Sequence, residues 1–188
     1  MSKQVGRVVS VQIGTGDDMS KQPKTQVVVE QDGFVGDKHR GFTRIAYDQD
    51  KDPEGTERRN ERQWSAVSLE ELQRVSESLD LPRMISAEDL GANLCISGID
   101  AFSALTRGTR LTFSSGAVLA IEEYNPPCKD MGEKIASLYT NRTDATFQAR
   151  DFVKAAARSR GVVGVVEVAG IIAEDDEVTV EKPWEPKF

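Results

Sequence analysis

The chain has 188 residues, a formal net charge of −7 and a hydrophobic content of 38%. That length can bury a substantial core and reads as one domain over residues 1–188. The acidic balance excludes a general nucleic-acid or anionic-membrane surface, so any anionic ligand must be held by a local basic cluster.

The amino terminus has no apolar signal region, and nowhere do about 18 apolar residues run together. Neither export nor membrane insertion is expected, and the cytoplasm is the default compartment. Residues 4–13 read as a first strand and residues 25–31 as a second, separated by a turn-rich loop at residues 14–18. A glycine-punctuated basic segment follows at residues 33–44, and residues 47–63 are almost wholly polar, the pattern of a functional or mobile loop. Residues 66–68 lead into a helix in which Ser68 and Glu71 fit a capping box and Leu69, Leu72, Val75 and Leu79 keep helical spacing. Leu94 and Ile96 alternate with Asn93, Cys95 and Ser97 as in a half-buried strand. Residues 109–113 and 117–123 form a predicted hairpin about Ser114-Ser115-Gly116. A helix over the Cys128 region and a second with Ala145, Ala149, Phe152, Val153 and Ala156 on one face precede three closing strands. Many short strands with glycine turns and a few helices predict a mainly β fold, a closed or partly closed β-barrel with inserted α-helices.

Two segments carry chemistry. In Asn125-Pro126-Pro127-Cys128-Lys129, Asn125 can cap a helix and Pro126 can occupy its first position, which puts Cys128 in the first turn. A helix start with Lys129 beside it is the environment that makes a thiol a nucleophile or a metal ligand. The alternative is a small apolar residue packed under a Pro-Pro corner. In the basic segment, Lys38, His39, Arg40 and Arg44 occur with no acidic residue between Lys38 and Arg44, and Gly33, Gly36 and Gly41 permit close backbone approach. Arginine suits bidentate phosphate recognition, so replacing Arg40 and Arg44 is expected to weaken anion retention more than stability. Zinc is not expected from one His and two Cys that lack ligand spacing, and neither a Gly-x-Ser-x-Gly elbow nor a phosphate loop occurs.

The ordered set Gly36-Asp37-Lys38-His39, Arg62-Gln63, Val67-Ser68-Leu69, Leu90-Gly91-Ala92-Asn93-Leu94, Gly98-Ile99-Asp100, Leu105 to Leu111 and Cys128-Lys129 resembles the MOSC domain, named after the carboxy-terminal domain of molybdenum cofactor sulfurase. The resemblance runs over about residues 5–180. It departs from the family in one respect: Ala92 stands where many members have Glu. The resemblance implies a MOSC-type barrel, a bound molybdenum cofactor (molybdopterin) and a functional cysteine matching Cys128, which is also a candidate molybdenum ligand. Lys38, His39, Arg40, Arg44, Arg62, Asn93 and Lys129 are then the candidate cofactor-binding residues. Family members carry or transfer sulfur for metal-sulfur cofactors, and some reduce N-hydroxylated compounds; a third reading is a non-catalytic pterin-binding or partner-binding module. The sulfurase itself has a pyridoxal-phosphate domain for which this chain has no room. The implied partners are therefore a separate cysteine desulfurase or an electron-donor protein. One pocket lined by His39, the basic loop, Asn93 and Cys128 is expected.

Overall fold

The computed structural model describes residues 4–183 apart from Asp17, Gln49 and Asp144. In chain order its elements are β1 (Gln4–Ile13), β2 (Gln22–Lys24), β3 (Gln26–Glu30), β4 (Gly33–Phe34), β5 (Thr43–Ile45), β6 (Glu57–Arg59), β7 (Trp64–Ser68), α1 (Leu69–Ser78), β8 (Leu94–Ser97), β9 (Arg110–Phe113), β10 (Val118–Tyr124), α2 (Lys129–Leu138), α3 (Ala149–Ala155), β11 (Val162–Val168), β12 (Gly170–Ala173) and β13 (Glu177–Glu181). The strands β13-β9-β10-β11-β7-β8-β1 close on themselves through β1–β13 pairing, giving the expected barrel of seven strands, with β2 extending β1. All pairs are antiparallel except β7–β8, whose parallel register requires the crossover that α1 supplies. β3 leaves the barrel to pair with β4 and β12.

Two apolar layers hold this together. Val8, Val11, Trp64, Leu94, Leu111, Leu119 and Ile121 fill the barrel. A second layer packs the helices on its outside: Val67, Leu72, Val75, Cys95, Met131, Ile135, Tyr139 and Phe152. This second layer explains why β8 is buried on both faces and not half-buried, since Cys95 points outward under α1. It also explains Ala92: that position is fully buried, where a carboxylate would lose its hydration.

Local chemistry shifted several expected boundaries. Ser68 Oγ accepts the amide of Glu71 at 3.3 Å and so caps α1, but the Glu71 carboxylate does not return to the cap. It is buried and accepts instead from the amide and hydroxyl of Ser103. The second predicted helix starts at Ala149, leaving Ala145 exposed outside it. The polar stretch 47–63 is not an open loop. β5 and β6 pair across it, and Arg44 and Arg58 bind Asp50 and Glu61 between them. No helix among the described residues is long and apolar enough to cross a membrane.

Candidate functional site

Cys128 is the N-cap of α2, with extended backbone, and not a first-turn residue, because Asn125, Pro126 and Pro127 lie between β10 and α2 outside any helix. Its Sγ accepts the amide of Met131 at 3.5 Å, taking the place a serine oxygen fills at other caps. The thiol is exposed, whereas Cys95 is buried, and burial pushes its thiol up to about 12. Asn125 is held from two sides: its amide donates to Gly161 O at 3.0 Å, and its side-chain oxygen accepts from Arg62 Nη2 at 2.7 Å. Gly161 has φ +93°, and a Cβ there would lie 2.0 Å from Ala66 O, so only glycine fits. Its amide donates to Ser103 Oγ at 2.7 Å, which ties the Glu71–Ser103 pair to the turn that carries Arg160.

Arg160 is the residue that sequence reading missed. It is only 7% exposed, its Nη2 donates to Leu90 O at 2.7 Å, and its Nη1 is buried without a partner. Among the described residues it has no carboxylate partner. Burial pulls the guanidinium down to about 10. Of the ionisable groups around it, Cys128 opposes that most strongly, while Arg62 adds to it. Arg160 precedes Gly161, whose carbonyl accepts the amide of Asn125 three residues before Cys128, and a buried cation near a thiol is an anion-binding arrangement. The one signal available beforehand was Arg160-Gly161 at the mouth of an apolar strand.

The basic loop is built around a carboxylate. Asp37 Oδ2 accepts from the Gly14 amide at 3.0 Å, from Asn93 Nδ2 at 2.8 Å and from Lys21; Oδ1 accepts from the His39 amide and from His39 Nδ1, both at 2.9 Å. The side chains of Lys21 and Asp37 are 1% and 0% exposed. Burial resists ionisation of Asp37, but His39, Lys21 and Gly14 outweigh it and hold the carboxyl well below the usual range. Lys21 itself is lowered by burial, with Asp37 opposing. His39 thus spends Nδ1 on Asp37 and presents Nε2, which has no partner among the described residues. Gly33, Gly36 and Gly41 all take positive φ, as this close folding requires.

The structure brings some predicted residues together and separates others. Asn60 Nδ2 donates to His39 O at 2.8 Å and to Gly41 O at 2.9 Å, while its Oδ1 accepts the Arg62 amide at 3.0 Å. Arg62 reaches Asn125, so hydrogen bonds run from the His39 loop to the chain leading into Cys128. Lys134 on α2 donates to Asp89 O at 2.5 Å. Burial lowers its ammonium, Asp89 and Asp18 oppose that, and Arg160 and Lys38 add to it. The His39 loop, Arg62, the Arg160-Gly161 turn and the chain leading into Cys128 are thus joined by hydrogen bonds. Asn93 supports the His39 loop: it is buried, its amide donates to Gln12 O and Asp37, and its Oδ1 accepts the Ser65 amide. It orients Asp37 and has no free group for a ligand. Arg40 is paired with Asp32 and Glu30, and Arg44 with Asp50 and Glu61, so these two arginines brace loops. Lys129 pairs with Glu133 at 3.3 Å on the solvent side of α2. No cluster of three or more His, Cys, Asp or Glu side chains among the described residues is arranged to hold a metal ion.

The chain is similar to known proteins in sequence and in fold. The MOSC domain model matches residues 48–179. YuaD of Bacillus subtilis (strain 168), named as a candidate metal-sulfur cluster biosynthesis protein, is 38% identical over 151 residues, 79% of this chain and 76% of that protein. The crystal structure of Bacillus subtilis YuaD superposes with a TM-score of 0.90 at 32% identity, covering 97% of this chain and 99% of that one. YiiM from Geobacillus stearothermophilus shares the fold at a TM-score of 0.63 and 15% identity, over 94% of this chain and 75% of its own. This chain belongs to the MOSC domain family.

Proposed function

We propose that this chain is a sulfur-handling MOSC protein in which Cys128 accepts a sulfane sulfur from a separate cysteine desulfurase and passes it to a metal-sulfur cofactor. The carrying observation is the exposed Cys128 thiol at the α2 cap, on a segment whose Asn125 amide is bound to the turn that carries the buried, carboxylate-free guanidinium of Arg160. In the loading step the Cys128 thiolate attacks the terminal sulfur of the donor's persulfide. A new S–S bond forms at Sγ, the donor's S–S bond breaks, and the donor leaves as a thiolate. The product, a Cys128 persulfide, is anionic, and Arg160 supplies its counter-charge while the first-turn amides of α2 face it. Arg62 fixes Asn125 and with it the approach to Cys128. The name of YuaD, which refers to metal-sulfur clusters, supports this direction.

The molybdenum cofactor associated with the family fits the same residues by chemistry. Cys128 offers a soft thiolate, and Arg160 has an orphan buried donor of the kind an anionic group satisfies. Cys128 would hold the metal, with Arg160, Lys38 and Lys134 toward the anionic part. Bound, it supplies two-electron redox chemistry.

The test is peptide mass spectrometry after incubation with a cysteine desulfurase and cysteine. A gain of about 32 Da on the Cys128 peptide, absent in Cys128→Ser and retained in Cys95→Ala, is the expected result. A sulfur adduct on Cys95 alone, or none at either cysteine, overturns it. Molybdenum retained by protein that takes up no sulfur supports reduction of N-hydroxylated compounds instead.

A further inference from the structure

Helix α2 leads away from Cys128 with Lys129, Glu133, Ala136 and Ser137 on one face, at i, i+4, i+7 and i+8. α3 lies against its flank. Gly132 makes the close approach possible, since a Cβ there would stand 2.5 Å from Ala149 O. Between the two helices runs an open groove of about 950 Å³ that begins at Lys129, the residue after Cys128. Ala136, Ala149 and Val153 give it an apolar lining. Its charged lining is Lys129, Arg150 and Lys154 against the single carboxylate of Glu133. Arg150 and Lys154 are exposed and carry no ion pair among the described residues. Cations in excess around an apolar trough are a marked departure in a chain of net charge −7.

We propose that this groove docks a helical segment, acidic at its edges and apolar on one face, of the protein that exchanges sulfur with Cys128. The proposal rests on the sulfur reading above. α2 has ten residues, so the groove matches about three turns of a partner helix lying alongside. Apolar side chains of that segment meet the alanine and valine lining, and its carboxylates meet Arg150 and Lys154. Because the groove opens next to the α2 cap, a partner seated there has its reactive sulfur delivered to Cys128.

The test compares two sulfur donors, a persulfidated cysteine desulfurase and sodium polysulfide, on the full chain and on Arg150→Glu/Lys154→Glu. Loading of Cys128 by polysulfide should be unchanged. The KM for the protein donor should rise by about tenfold with kcat retained, and added salt should reproduce that rise in the unmodified chain. An unchanged KM overturns the docking proposal. If neither donor loads Cys128, the sulfur reading fails by itself. The groove is then judged by anisotropy of a fluorescein-labelled helical peptide of Glu and Leu. Binding that weakens about tenfold in the charge-reversed variant supports the groove, and equal or absent binding overturns it.

Discussion

Replacing Asp37 by Asn tests how the basic loop is held. The carboxylate receives five hydrogen bonds, from Gly14, Lys21, Asn93 and twice from His39. Asparagine keeps the shape but turns one acceptor oxygen into a donor group and removes the charge. At least two of those donors then face an NH₂, and the Lys21 ammonium, 1% exposed, loses its counter-ion. Breaking one partner of a buried pair costs about 3–5 kcal/mol. With a urea m-value of about 2 kcal/mol/M, the unfolding midpoint should fall by about 2 M. Lys21→Met/Asp37→Asn should recover part of that loss, because the stranded cation is gone. The pH dependence has a definite sign. The folded Asp37 carboxyl titrates below its ordinary 3.8, so its stabilisation is present above that value and is lost as the pH falls below it. The gap between the variant and the unmodified chain should therefore narrow only in that acidic range. A midpoint shift below about 0.5 M at neutral pH, or a gap insensitive to acid, would refute the buried-pair reasoning.

Three further outcomes follow from the same geometry. Iodoacetamide at pH 8 should label Cys128 and leave Cys95 unmodified until the chain unfolds, since a thiol at about 12 has a thiolate fraction of about one in ten thousand there. Equal labelling of both cysteines in the folded chain would contradict this. Arg160→Met should lower the rate of Cys128 with anionic iodoacetate relative to neutral iodoacetamide by about threefold or more, while Arg160→Lys retains the ratio; an unchanged ratio would remove the guanidinium from the site. Arg44→Ala should cost about 1–3 kcal/mol by urea titration without altering Cys128 loading, because its pairs with Asp50 and Glu61 are largely shielded. A loading defect at full stability would restore Arg44 to ligand binding.

The barrel was largely legible in the residues. Gln4–Ile13, the hairpin about Gly116 and the three closing strands follow from alternation, β-branched apolar runs and turn glycines, which are local signals. The Ser68 cap and the positive φ at Gly33, Gly36 and Gly41 are local in the same sense. The exposed thiol at a helix start was also within reach, although its place at the cap depended on two prolines staying outside the helix. What tertiary structure alone decided are the partners of charged groups. Arg40 and Arg44 read as free cations in a run without acids, yet carboxylates from Glu30, Asp32, Asp50 and Glu61 close on them once the strands pair. Glu71 left its expected cap for Ser103, 32 residues away, and Asn93 turned inward to Asp37, 56 residues away. Arg160 became a site residue only because Gly161 presses its turn against Ala66 and Asn125. Backbone conformation is set by neighbours along the chain, whereas the worth of a charge depends on what burial leaves beside it, and that is fixed by closure of the barrel.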